Sequence, residues 1–471
     1  MELQLALDRS RRAPLSLQIA HGIRDAIFAQ RLSPGTRLPP TRELAQRLLV
    51  SRMVVVEAYE WLMAEGYVES RTGSGTFIAE TLAWSQQPAR RIQDPPRRTD
   101  LLAEKQVTVD FRPGLPALDL FPRKAWATAL SRAMHDAKTG QLGYGPVEGL
   151  PRLRRVIAEY VARTRGLPIA PERAVITVGA TQALDLMLRT LAPIDRIAIE
   201  DPSPESVHRL ACLHHLRVDA IPVNEQGMRV DLIKTGRGAP PVVHVIPSHQ
   251  YPTGWAMSLE RRIELLNWAE RHDAVVLEDD YDSEFRFDRS PPIALAALDA
   301  AQRVVYIGSF SKTLFPGLRL GFCIVPERMI GRLLDLKRFS DRCVPALEQL
   351  ALAGWLESGL FERHTRRMRG VYAQRRSALL DALAEHFGQA VRVEGAPAGM
   401  HVLVNLDLGL GESELLARAL QVGVKVNPVS PCCIHYEPDW ASVIMGFGHL
   451  SNTDIARGVE LLAQAWTKRG K

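Results

Sequence analysis

From residue 108 onward, short apolar runs rich in β-branched residues recur between stretches of helical periodicity. The runs are Ala174–Val178, Arg196–Glu200, Val242–Ile246, Ala274–Leu277 and Val304–Ile307. Strands that do not alternate with polar residues are buried on both faces, the situation of a mostly parallel sheet covered by helices. The expectation over 108–471 is therefore an α/β domain with a mostly parallel sheet. At 471 residues the chain is too long for one ordinary domain. Residues 1–79 read as a separate small helical domain. Residues 80–107, with Gln86-Gln87-Pro88, Arg90-Arg91 and Asp94-Pro95-Pro96-Arg97-Arg98, read as a linker.

Composition narrows the classes without choosing a function. Hydrophobic residues make up 46% and charged residues 24%, and the net charge is +6, which permits nucleic-acid binding without demonstrating it. No run of about 18 apolar residues is present, so no membrane association is expected, and Met1-Glu2-Leu3-Gln4 has no secretory character. The five cysteines, Cys212, Cys323, Cys343, Cys432 and Cys433, are odd in number and lack metal-ligand spacing. No metal site is expected, and a reducing cytoplasm fits.

In the first 80 residues every basic residue is arginine, the side chain suited to bidentate contact with phosphates and guanine edges. Ile19, Ile23, Ala26 and Ile27 share one helical face, as do Val55, Ala58, Tyr59 and Leu62. Between them Thr41 and Ser51 read as N-caps, with Glu43 in a first turn. The second of these two short helices offers Arg52 and Met53 at its exposed start, the helix-turn-helix arrangement. Strand-like pieces then flank Gly73-Ser74-Gly75, which reads as a wing. Leu38-Pro39-Pro40-Thr41-Arg42-Glu43-Leu44-Ala45, Ser51-Arg52, Ala58-Tyr59, Glu65-Gly66-Tyr67 and Gly73-Ser74-Gly75-Thr76-Phe77 resemble the GntR-type winged helix. The resemblance implies DNA contacts from Arg42 and Arg52, assisted by Ser51 and Met53, with the wing residues Gly73, Ser74 and Gly75 near the minor groove. Val54 stands where many relatives have a phosphate-reaching threonine.

The strongest chemical signal runs from Tyr306 to Gly321. A strand ends, Ser309 and Ser311 follow, and Lys312 precedes Arg319 by seven residues. A lysine of lowered pKa can form a Schiff base with an aldehyde cofactor, and the serines and arginine can hold a phosphate. Val178-Gly179-Ala180-Thr181-Gln182 opens a helix after a strand and offers a second phosphate cradle. The run Glu278-Asp279-Asp280-Tyr281-Asp282 offers a carboxylate for a pyridine nitrogen and a phenol for a ring oxygen, and Pro247–Gly254 can edge the ring.

Together with Gly143-Tyr144-Gly145, Glu200-Asp201-Pro202 and Ala398-Gly399-Met400-His401, these segments are similar to fold-type I aminotransferases, which use pyridoxal phosphate (PLP). His249-Gln250-Tyr251-Pro252 and Asp279–Phe285, fused to a GntR-type N-terminus, look like the MocR subfamily of transcription regulators. The resemblance implies a smaller C-terminal α+β subdomain over about 345–471, and Lys312 as the Schiff-base lysine used for sensing. It further implies Asp279 at the pyridine nitrogen, Tyr281 at the ring hydroxyl, and Thr181 and Arg319 at the phosphate, with Ala180, Gln182, Ser309 and Ser311 nearby. It also implies a homodimer with swapped domains, a double-stranded DNA operator, and an amine or PLP as effector, controlling amine catabolism or vitamin B6 genes. Two departures stand out. Ser203-Pro204 replaces the Gly-Tyr whose tyrosine stacks on the ring, and Ile444 replaces the arginine that holds a substrate carboxylate. Arg209, His401 and His435 are the candidates for another effector-binding group. The departures favour a sensor over the alternative, an active aminotransferase with an autoregulatory DNA-binding domain.

Overall fold

The computed structural model describes the chain except for residues 1–4, 6, 10–12, 30, 72, 81–106, 289–291, 396, 437–439 and 468–471. The chain divides into two compact units, 1–98 and 99–471. Apart from Glu80 and Val107, the linker expected over 80–107 lies outside the described residues.

The first unit contains α1 (Leu15–Phe28), α2 (Thr41–Leu48), α3 (Arg52–Ala64) and a hairpin of β1 (Val68–Arg71) and β2 (Gly75–Ile78). Ile19, Ile23, Leu44, Val55, Leu62 and Ile78 form its buried centre, so both predicted apolar faces meet there. The caps differ from expectation. Thr41 is the first residue of α2 rather than its N-cap, because Pro40 before it already holds the extended cap conformation, and the Thr41 hydroxyl accepts instead from Arg52 Nε at 3.3 Å. Ser51 does occupy the N-cap of α3, but its hydroxyl makes no capping bond. Leu49, in the left-handed region at φ 53°, turns the chain between the two helices.

In the second unit the strands are β3 (Val109–Asp110), β4 (Ala174–Thr177), β5 (Arg196–Asp201), β6 (Arg217–Asn224), β7 (Gly227–Met228), β8 (Val242–Val245), β9 (Val275–Asp280), β10 (Val304–Ser309), β11 (Gly321–Ile324), β12 (Val391–Glu394), β13 (His401–Leu406), β14 (Val424–Lys425), β15 (Asn427–Pro428) and β16 (Ala441–Gly446). Eight of them form one sheet in the order β4-β11-β10-β9-β8-β5-β6-β7. The run from β10 through β9, β8 and β5 to β6 is parallel; only β11 and β7 pair antiparallel with their neighbours. Successive residues of one strand enter opposite cores: Val275 and Leu277 pack with Leu186 and Ile199, while Val276 packs with Val243 and Trp268. That two-sided burial is why these strands read as unbroken apolar runs.

A smaller layer pairs β12-β13-β16-β15 antiparallel, with β14 and β3 as a separate parallel pair. Its core joins Phe111, Phe285, Tyr372, Leu383, Val404, Phe447 and Trp466. The subdomain boundary expected near 345 is crossed in both directions. Residues 109–117 leave the start of the unit to join this layer, whereas the helix Ala346–Glu357 puts Leu352 and Trp355 against Leu153 and Phe322 of the large layer.

Candidate functional site

A cavity of about 360 Å³ opens where β4, β5, β9 and β10 end, outside the carboxyl ends of parallel strands as such sheets dictate. Its walls come from seven separated segments, most of them loops that the strands release at the same edge.

One end gathers donors for an anion. β4 gives way to Gly179, and the helix Ala180–Leu191 begins there with Ala180 and Thr181 on the wall. Gly179 sits at φ +107°, and a Cβ on it would lie 3.3 Å from an Arg319 guanidinium nitrogen. The glycine thus lets Arg319 approach the helix N-terminus. Ser309 and Ser311 complete this end, with Ser311 N–H donating to Ser309 Oγ at 3.2 Å. A helix N-terminus with a guanidinium beside it is suited to a phosphate.

The middle of the wall holds Lys312 and Asp279. Lys312 Nζ donates to the Gly114 carbonyl at 2.7 Å. Burial pushes its pKa below the ordinary lysine value, while Asp282 and Asp279 pull it back up. Asp279 is nine-tenths buried, yet its Oδ1 has no hydrogen-bond partner; its Oδ2 lies 3.8 Å from His244 Nε2. Both His244 ring nitrogens are likewise unpartnered. Polar atoms buried without a protein partner are rare because each costs about 1–3 kcal/mol. The opposite wall carries Tyr281, whose hydroxyl meets His249 Nδ1 at 3.0 Å, and His401, whose Nε2 meets the Pro252 carbonyl at 3.3 Å. Burial drives the His401 pKa well below the ordinary imidazole value, so it is neutral.

Three candidates are elsewhere. Gln182, one helical step beyond Thr181, turns away from the cavity: it accepts from Val178 N–H at 2.9 Å and donates to Asp341 at 2.8 Å, bracing the turn. Arg209 is exposed and paired with Glu205 at 2.5 Å. His435 is exposed too, its backbone N–H given to Asp201 at 2.7 Å. Of the three effector candidates only His401 borders the cavity.

Sequence reasoning missed His249, Asp282 and Asp201 as individual residues. His249 and Asp282 lie in segments already singled out, but nothing in a run of acids tells which carboxylate faces inward. Asp201 accepts backbone N–H groups from Ile434, His435 and Tyr436 at 2.7–2.9 Å, and Ser203 N–H reaches the Cys432 carbonyl, so the end of β5 grips a segment far along the chain. Both departures are visible. Pro204 lies on the wall, and Ile444, 1% exposed, packs with Leu403, Val429 and Cys432 alongside Tyr251. Cys432 and Cys433 are free thiols that burial pushes up to about 12. His249, Asp282 and His401 bring ligand atoms within 4.8 Å of one another, but hydrogen bonds to Asp282 and Pro252 already engage the two histidines. In the first unit Arg42, Ser51, Arg52, Met53, Gly73, Ser74 and Gly75 are all exposed, whereas Val54 is half-buried.

Residues 15–78 match the bacterial regulatory proteins of the gntR family, and residues 114–449 match aminotransferase class I and II. The probable rhizopine catabolism regulatory protein MocR of Rhizobium meliloti is 35% identical over 98% of this chain and 96% of its own. The chain is a GntR-type transcription regulator of the MocR subfamily. Another relative, the pyridoxine biosynthesis transcriptional regulator PdxR of Corynebacterium glutamicum, is 34% identical over 82% of each chain. Among solved structures, the α-aminoadipate aminotransferase LysN of Thermus thermophilus, complexed with N-(5'-phosphopyridoxyl)-L-leucine, superposes with a TM-score of 0.70 at 31% identity, covering 82% of this chain and 98% of LysN. PLP is accordingly the cofactor of this MocR-type regulator. No described helix is long and apolar enough to cross a membrane.

Proposed function

We propose that this regulator senses an amine, or PLP itself, at the cavity below β9 and β10 and converts the state of that cavity into DNA affinity of the winged helix. One observation carries the reading: the cavity joins a buried, pKa-lowered Lys312, the Asp279 carboxylate and an anion-binding end around Arg319. The residues fit PLP. The helix N-terminus at Ala180 and Thr181, with Ser309, Ser311 and Arg319, would hold the phosphate. The Asp279 carboxylate would accept from the pyridine nitrogen, and Tyr281 would bond the ring oxygen. When bound, the cofactor supplies an aldehyde that condenses with amines. Lys312 contributes the protein's own amine, kept reactive by burial, and Asp279 keeps the ring nitrogen protonated.

Pro204 and Ile444 support sensing over turnover. Among the described residues the only strong cations on the wall are Lys312 and Arg319, both committed to the cofactor. Arg42, Ser51, Arg52 and Met53 would face the major groove, with the wing at Gly73–Gly75 beside it. We place the protein in the cytoplasm as a homodimer with swapped domains. The names of the two regulators above favour amine catabolism or vitamin B6 supply as the pathway. The completeness of the Lys312, Asp279 and Arg319 set, together with the likeness to LysN, keeps a second reading, an active aminotransferase. Gel-shift measurements on DNA upstream of its own gene, with and without PLP and candidate amines, test the first. A ligand-dependent change is expected, and absence of DNA binding under every condition would refute it. Steady turnover of an amino donor with a keto acid would favour the second.

A further inference from the structure

His249 Nδ1 lies 3.0 Å from the Tyr281 hydroxyl and 3.1 and 3.0 Å from Asp282 Oδ1 and Oδ2. His249 and Asp282 are buried and Tyr281 is half-buried, and Tyr281 and Asp282 border the cavity. The cluster is held tightly. Gly399, at φ +72°, lies so close that a Cβ there would be 2.0 Å from His249 Cε1 and 2.8 Å from Asp282 Oδ2.

A ring nitrogen carries either one hydrogen or one lone pair, so three polar atoms compete for a single function at Nδ1. With a hydrogen there, Nδ1 donates to Asp282, and Tyr281 must send its own proton elsewhere. With a lone pair there, Tyr281 donates to Nδ1, and ionised Asp282 faces that lone pair at 3.0 Å without a donor. Among the described residues the Asp282 carboxylate has no other hydrogen-bond donor, and a buried carboxylate without one is strongly disfavoured. Burial raises the Asp282 pKa, against which the contact with His249 and the charge of Lys312 act. The other titratable groups around the cluster are His401 from β13, its ring 5.1 Å from that of His249 and neutral, Tyr251, its ring 4.9 Å from that of His401, and the carboxylates Asp279 and Asp280 of β9.

We propose that His249, tethered by Asp282, is a positioning residue that turns the Tyr281 hydroxyl proton into the cavity, making the phenol a hydrogen-bond donor to the ring oxygen of the bound cofactor. The inference rests on the PLP reading of the site and adds a function for two residues that reading leaves idle. The imidazole touches no ligand; it decides what Tyr281 offers one.

The test is a pH titration of the visible absorbance of the full-length protein loaded with PLP. A donor to the ring oxygen favours its anion, so His249→Leu raises the midpoint by about one pH unit, a tenfold change in the proton equilibrium. His249→Asn, which keeps an N–H donor near the place of Nδ1, holds the wild-type midpoint. Tyr281→Phe raises the midpoint as His249→Leu does, and the double variant moves it no further, because both act through one proton. An unmoved midpoint in His249→Leu, or additive shifts in the double variant, overturns the proposal. Nitrogen NMR of the cofactor-free protein reads the tautomer directly: a protonated Nδ1 is expected, and a bare Nδ1 overturns it. Failure of the wild type to take up PLP at all would instead sink the functional reading, and the NMR result would still decide the tautomer.

Discussion

Lys312 acts through its surroundings more than through its own chemistry. Burial favours the uncharged amine that can attack an aldehyde, while two carboxylates limit how far the shift goes. Lys312→Ala is expected to abolish the visible absorbance of the PLP-loaded protein and to flatten the DNA-binding response to amines; a wild-type response would contradict its assignment. A second prediction concerns Glu200, fully buried at the end of β5, whose carboxyl burial raises to about 8. Its folded-state pKa lies above the ordinary 4.5, so the folded protein holds the proton more tightly than the unfolded chain. The stability this contributes is complete below about pH 4.5 and is lost as pH rises through about 8. Melting temperatures measured from pH 5 to 8 should fall, and Glu200→Gln should reduce that slope. Two residue-scale expectations differ from the structure: Gln182 turns from the cavity to brace its own turn, because one step along a helix changes what a side chain faces, and Thr41 begins α2 because Pro40 already takes the cap position.

At the scale of elements, α3 separates two roles that its first residues seemed to share. Ser51 makes no capping bond, so Ser51→Ala is expected to cost less than the usual 0.5–2 kcal/mol or so for a lost cap, as thermal unfolding would register. Arg52→Ala should weaken DNA binding and lower the salt dependence of log affinity by about one phosphate contact. β16 carries the opposite lesson. Ile444→Arg would bury a cation among Leu403, Val429 and Cys432, at a cost of roughly 3 kcal/mol or more, visible as a lower melting temperature. The large sheet was legible because five strands are buried on both faces and announce themselves as apolar runs. β3 was not, because two residues carry no period, and so the recruitment of residues 109–117 into the smaller layer went unread. The site was legible wherever a lysine, an arginine or a glycine follows a strand. The grip of Asp201 on residues 434–436 was not, since three backbone donors leave no mark in a sequence.

For the whole molecule, a transcription regulator has been made by joining two compact units whose separate purposes each show in their own residues. PLP binding should stabilise the larger unit by linkage, about 2.7 kcal/mol at a concentration one hundred times Kd. Calorimetry should therefore show a transition that climbs with added PLP, and in Arg319→Ala that climb should shrink or vanish. Linkage extends the point from the test tube to the cell. Copies that have not met their ligand lack the stabilisation that binding supplies and spend more time unfolded, where proteases act. The amount of regulator present would then follow the supply of its cofactor, so the cavity that reads the ligand also sets how long each copy survives.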